Sequence, residues 1–244
     1  ESLDLLVYSD RGVSKKSFDQ TIKSLSEAFT SCNDVKIRAI RAREIIQGSW
    51  QSSAVALIMP GGRDAFYDKK LNKRACDLIR EYVNQGGLYI GFCAGAYFAC
   101  DSIEFEKGTS QEVFGDRNLK FFPGKAIGTV IDQGTYRDNS ELGSLALSVK
   151  WDKSCISEDS QFNVYYNGGC YFEEKESSFV KILARYEDIE KKPPAAVLCS
   201  HGKGSVFLTG VHLEYGVGLL DNEDLNTKEI LSCLEKDEKE RSFF

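Results

Sequence analysis

The chain has 244 residues, 42% apolar and 28% charged, and its 31 basic and 37 acidic residues give a formal charge of −6. That balance suits one globular domain with a sizeable core and argues against intrinsic disorder. The mild acidity leaves no basic footprint for nucleic acid or an anionic membrane, and no apolar run approaches the roughly 20 residues of a membrane span.

The opening ESLDLLVYSD has neither a basic n-region nor an apolar h-region, so a signal peptide is not expected there. Residues 2–9, carrying LDLLVYS, read as a buried strand. Phe18, Ile22, Leu25 and Phe29 follow at helical spacing and predict an amphipathic helix. Val35, Ile37 and Ala39 alternate along VKIRAI, a second strand, and AVALIMP is a third, ended by Pro60. Leu71, Ala75, Leu78, Ile79, Tyr82 and Val83 mark a second helix, stopped by Gly86-Gly87. LYIGF at 88–92 is a fourth strand. This β-α-β-β-α-β order predicts an α/β fold with a mainly parallel sheet flanked by helices.

The second half reads as β-rich. Residues 107–140 suggest long loops with short strands, with Phe121-Phe122-Pro123-Gly124 as core followed by a turn. LALSVKW, FNVYYNGGCYF and VKILARYE, between 145 and 186, have β character. AAVLCSHGKGSVFLTGVH reads as a hairpin turning at His201, and a terminal helix is expected from about Asn222. The EKDEKER run reads as a solvated helix end, and the finish on two phenylalanines as a cut through a longer polypeptide. With no internal repeat or Pro-rich linker, residues 1–244 read as a single domain.

Eight cysteines (Cys32, Cys76, Cys93, Cys100, Cys155, Cys170, Cys199 and Cys233) are scattered, several in apolar segments, and no Asn-x-Ser/Thr sequon occurs. A reduced, cytoplasmic chain is the expectation. There is no CxxC and there are two histidines, so no metal site is expected.

Three signals bear on chemistry. The first is G-F-C-A-G at 91–95, directly after the LYIGF strand. Its glycines permit a sharp strand-to-helix turn that would hold Cys93 above the carboxyl edge of the sheet, as in a nucleophile elbow. A thiol at a helix start has its thiolate favoured by the helix dipole. A buried, inert cysteine explains the same letters. The second is V-H-L-E at 211–214, where His212 and Glu214 share a face if the chain is extended. His212 could then take the thiol proton while Glu214 orients the imidazole. A structural histidine at a strand end is the plainer reading, but the other histidine, His201, sits at the hairpin turn. The third is P-G-G at 60–62, where the Gly61 or Gly62 N–H could join the Ala94 N–H in an oxyanion hole. All three end predicted strands, the edge where parallel α/β sheets place sites. Tyr165, Tyr166, Asn167 and Gly168-Gly169 offer stacking and amide hydrogen bonds at a pocket mouth, although a strand followed by a turn explains them equally.

Strand-PGG, strand-GxCxG-helix and strand-HxE, in this order, resemble the flavodoxin-like class I glutamine amidotransferase fold. That resemblance implies a Cys93-His212-Glu214 triad. PGGRD, GGLYIGFCAGAYFA, GDRNLKFFPG, YYNGGCYF and GKGSVFLTGVHLE resemble one branch more closely, the amidotransferase-like N-terminal domain of eukaryotic-type biotin–protein ligases. Two positions depart from active glutaminases of this class. Tyr97 stands where GxCxGxQ has its substrate-holding glutamine, which puts glutamine in doubt as substrate, and Leu213 replaces the proline of HPE. Neither a Gly-Arg-Gly-rich biotinyl-adenylate loop nor GxxxxGK[ST] occurs. ATP and biotin are therefore expected only for a ligase domain outside this sequence.

The resemblance implies a regulatory or ligand-binding domain of a biotin–protein ligase. Its partners would be the ligase catalytic domain of the same polypeptide, a biotin-accepting carrier protein or a small amide-containing ligand, held by Tyr97, Tyr166 and Asn167. The alternatives are an active cysteine-dependent amide hydrolase or amidotransferase working through a thioester, and a folded relic whose pocket is filled by Tyr97 or Phe92.

Overall fold

The computed structural model describes residues 3–131, 134–137, 140–153, 160–220 and 225–237. Strand β1 (Leu3–Tyr8) leads into helix α1 (Lys15–Ala28), strand β2 (Val35–Ile40), helix α2 (Ala42–Gln47), strand β3 (Ala54–Met59), helices α3 (Asp64–Lys70) and α4 (Lys73–Asn84), strand β4 (Leu88–Phe92) and the short helix α5 (Ala94–Phe98). β1 and β3 are buried along nearly their whole length, as central parallel strands covered on both faces are. Along them, side chains alternate between two cores. Leu5, Val7, Ala56 and Ile58 pack with Phe18, Ile22 and Leu25 of α1. Leu6, Tyr8, Leu57 and Met59 pack with Ala75, Cys76, Ile79 and Val83 of α4.

Two helices depart from the sequence expectation. α2 intervenes between the second and third strands, and its six residues are too few to display a repeating apolar period. The expected second helix is α4, and α3 is an unexpected helix just ahead of it. Leu71 closes α3, and Asn72 caps α4 by accepting the Ala75 N–H at 3.1 Å.

The remaining elements are β5 (Cys100–Phe105), β6 (Val113–Asp116), β7 (Phe122–Gly128), β8 (Leu145–Trp151), β9 (Gln161–Tyr166), β10 (Tyr171–Phe172), β11 (Val180–Tyr186), β12 (Pro194–His201), β13 (Gly204–Thr209) and helix α6 (Leu225–Lys236). Nine strands form one sheet in the order β2-β1-β3-β4-β13-β12-β11-β8-β9. From β2 to β13 all pairings are parallel, and from β13 to β9 all are antiparallel. The sheet is thus mixed, and the expected parallel character holds for its first five positions. The reason is connection length. The joins from β11 to β12 and from β12 to β13 are too short for crossover helices, and short joins make antiparallel pairs.

A second, four-stranded sheet has the order β10-β7-β5-β6. The stretch expected as long loops with short strands carries β6 and β7, but Phe122-Pro123-Gly124 opens β7 instead of turning. Just after β6, Arg117 forms a largely buried ion pair with Asp64 of α3, Nε to Oδ2 at 2.6 Å. That pair joins the GDRN and PGGRD stretches. The expected start at Asn222, the chain end from Glu238, and Cys155 lie outside the described residues. The other seven cysteines are free thiols, and among the described residues no helix is long and apolar enough to cross a membrane.

Candidate active site

The carboxyl ends of β3, β4 and β13 are neighbours, so the segments that leave them meet. Cys93 follows β4 with φ 48° and ψ −103°, a conformation that costs a non-glycine residue on the order of 1–3 kcal/mol. Its N–H donates to Thr209 O at the end of β13, 2.9 Å away. The flanking glycines let the turn close. A Cβ on Gly95 would stand 2.1 Å from Met59 O, and one on Gly91 would stand 2.6 Å from Gly95 O.

His212 is held by its own backbone, whose N–H donates to Tyr165 O at 2.9 Å. It is not in an extended strand as the sequence suggests. It makes a single bridge to Tyr165, and residues 213 and 214 turn immediately after it. The turn still brings the pair together: the Nδ1 hydrogen is directed to Glu214 Oε1 at 2.7 Å. Burial pulls the His212 pKa down, but the Glu214 carboxylate, with the nearby Cys93 thiol, outweighs it and raises the value to about 10. The imidazolium is therefore the favoured form near neutrality.

Sequence reasoning missed Ser17. Its hydroxyl donates to Glu214 Oε1 at 3.1 Å and accepts the Gly61 N–H at 2.7 Å. No local pattern announces this contact, because Ser17 lies on the polar edge of α1 beside Gln20, whose Oε1 accepts the Gly216 N–H. The contact also corrects the expected role of Gly61, since its N–H is committed to Ser17. Gly61 serves instead by lacking a side chain, because a Cβ there would stand 2.7 Å from His212 Cε1. The N–H groups of Gly62 and Ala94 have no acceptor among the described residues and are the donors left for an oxyanion.

Asn167 sits over the thiol, with its carbonyl oxygen 3.8 Å from Cys93 Sγ. Its Nδ2 donates to Ser140 O and to the Tyr165 hydroxyl, while Oδ1 is buried without a partner among the described residues. Tyr165 donates to Glu141 Oε2 at 2.5 Å and stacks on Tyr215 at 4.3 Å, and Lys16 pairs with Glu141. Tyr166 does not face a pocket. It is fully buried, and its hydroxyl accepts from Val130 N and donates to Gly169 O. Tyr97 is buried too, donating to Gly168 O at 3.3 Å with its ring edge-on to Phe105. Cys93, His212 and Glu214 are 6%, 4% and 4% exposed, so the cluster is assembled and covered at once. The sheet order, the tight turn at Cys93 and the His-Glu pair define a protein of the glutamine amidotransferase-like α/β class.

Solved structures agree on that fold. A glutamine amidotransferase crystal structure matches with a TM-score of 0.55 and 18% identity, covering 94% of this chain and 97% of its own. A candidate GMP synthase component from Thermoplasma acidophilum matches with a TM-score of 0.52 and 11% identity, covering 99% of this chain and 98% of its own. Residues 3–244 match the family model "Biotin-protein ligase, N terminal", and the chain belongs to that family. It is 35% identical over 241 residues to the biotin–protein ligase of Schizosaccharomyces pombe, covering 96% of this chain but 37% of that protein. It is 34% identical over 212 residues to an uncharacterised Chlamydia muridarum protein, covering 86% of this chain and 80% of that one.

Proposed function

We propose that this domain serves a biotin–protein ligase as a regulatory unit, receiving a small amide-containing ligand or a partner segment at the Cys93-His212-Glu214 cluster. One observation carries the reading: the His212–Glu214 pair is assembled yet the cluster is nearly sealed, with Tyr97 buried where active glutaminases hold a glutamine. A site built to turn over freely diffusing glutamine needs an open mouth. A site that senses a ligand needs its polar groups poised and its access controlled. In this reading ATP, biotin and the carrier protein are handled by a ligase catalytic domain of the same cytoplasmic polypeptide.

A second reading is favoured by the strained Cys93 turn and the raised His212, which together suit a thiolate–imidazolium pair. Sγ would attack an amide carbonyl, and His212 would protonate the leaving amine, giving a thioester. His212, now neutral, would then take a proton from water as that water attacks the thioester, releasing the acid and Cys93. Gly62 and Ala94 N–H groups would hold the oxyanion in both steps.

Alkylation of Cys93 across pH, read by peptide mass with the other cysteines as internal references, tests the cluster. The regulatory reading expects slow labelling of Cys93 in the resting chain that still slows further in His212→Ala. Rapid labelling at pH 6 and amide turnover above a Cys93→Ala control would favour the hydrolase. Removing this domain from a ligase that carries it should change the affinity for biotin or the carrier. Unchanged activity and unchanged affinities would sink the regulatory reading.

A further inference from the structure

Away from the Cys93 cluster, the carboxyl edge of the sheet bears a cleft of about 570 Å³, lined by Ser9, Asp10, Arg11, Arg41, Arg43 and Lys70 over an apolar floor of Ala42 and Ile46. We propose that this cleft binds a small molecule through a compact di- or triphosphate group, held by Arg11, Arg41, Arg43 and Lys70.

β1 is the first strand, β2 lies on one side of it and β3 on the other, so the strand order reverses at β1. In that order the reversal falls in the crevice between β1 and β3, outside the carboxyl ends of the strands, where open α/β sheets usually bind ligands. The β1–β3 side is closed here, because Val13 bridges Gly62 and the Arg63 N–H donates to Gly12 O. The β1–β2 side is left open, and the cleft lies there, within the usual size range of small-molecule sites.

The charge is local. The chain is acidic overall, yet four cations line this cleft against one carboxylate. That carboxylate is already engaged: Asp10 Oδ1 accepts the Arg11 N–H at 2.7 Å, and Oδ2 accepts the Ala42 N–H at 3.2 Å. Asp10 thus fixes the shape of the rim rather than neutralising it. Glu44, the nearest other acid on α2, caps the Arg41 N–H and pairs with Arg38. Among the described residues, none of the four cations is paired with a carboxylate, and Arg11 is steadied over the Phe66 ring at 4.6 Å. Tyr8, one residue before the rim, has a buried hydroxyl without a partner among the described residues.

Ligand class follows from this charge. Guanidinium forks match phosphate oxygens in bidentate geometry. A lone carboxylate would leave most of the positive charge unmet, whereas a di- or triphosphate carries several negative charges in a span the cleft can enclose. Like charges held together unpaired cost stability, and a bound polyanion removes that cost.

Calorimetric titration of inorganic pyrophosphate into the 244-residue chain at about 150 mM salt tests the proposal. Saturable binding with a Kd below about 1 mM is expected, weakened at least about tenfold by Arg41→Ala/Arg43→Ala. The matched variant Lys191→Ala/Lys203→Ala, which removes two exposed cations elsewhere, should bind as the parent does. Lys70→Glu serves as a second variant and should also weaken binding. Absence of saturable binding, equal affinity in the Arg41/Arg43 variant, or equal loss in the Lys191/Lys203 variant would each overturn the proposal. All five altered cations are exposed, so the unfolding midpoint should stay near the parent value.

Discussion

Ser17 and Glu214 are 197 positions apart, yet Ser17 links the loop after β3 to the carboxylate that orients His212. Ser17→Ala leaves the Gly61 N–H buried without an acceptor, at a cost of about 1–3 kcal/mol. It also removes one of two hydrogen bonds to Glu214 Oε1, whose fellow oxygen Oε2 already lacks a partner among the described residues. Urea unfolding should show the loss, and Cys93 alkylation should move in the same direction as in His212→Ala, by less. The same unfolding experiment across pH tests the His212 charge. Burial works against that charge and Glu214 works for it, and the folded value ends near 10, above the usual 6.5. A basic group raised on folding stabilises fully below about pH 6.5 and loses that contribution as pH rises through about 10. The stability advantage of the parent over His212→Gln should therefore shrink between pH 7 and pH 10. An advantage that grew over that range would contradict an imidazolium in the folded chain.

Access to the thiol is set by elements that the site residues only touch. The segment at 140–141 reaches Asn167 through Ser140 O and Tyr165 through Glu141, and Lys16 of α1 meets Glu141 from the other side. Glu141→Ala frees Tyr165 and Lys16 together, so Cys93 alkylation should accelerate several-fold. Lys150→Ala, an exposed change on β8, should leave it alone. Equal rates in the two variants would mean that this tie does not limit access. Little of this was readable from sequence. The strands were legible because β1, β3 and β4 are short apolar runs, and the Cys93 turn because G-x-C-x-G follows one of them. α2 and α3 were not, since six or seven residues cannot display a helical period. The roles of Gly61, Tyr97 and Tyr166 were misjudged for a different reason. Each is decided by a partner distant in sequence: Ser17, Gly168 O and Val130 N respectively. Residue type gives donors and acceptors, whereas only the fold says which are already committed.

The two halves of the molecule share one sheet. β13 is parallel to β4 on one side and antiparallel to β12 on the other, so the antiparallel strands are a continuation of the parallel ones, not a separate layer. Cys93 and His212 draw on both halves, through Thr209 of β13 and Tyr165 of β9. A chain so joined is expected to unfold as one cooperative unit. The two tryptophans allow a direct test, because Trp50 packs on Tyr82 in the parallel half and Trp151 stacks on Phe162 in the antiparallel half. Both are buried, so each reports local unfolding. Trp50→Phe and Trp151→Phe leave one emitter apiece, and each variant should show the same urea midpoint by fluorescence as by far-ultraviolet circular dichroism. If Trp151 emission changes at lower urea than the dichroism of the same variant, the antiparallel half is a separable module. The site would then disassemble with that module, because His212 is placed by β9, and Cys93 labelling in urea should rise at the Trp151 midpoint. Under single-unit unfolding it rises only at the global one.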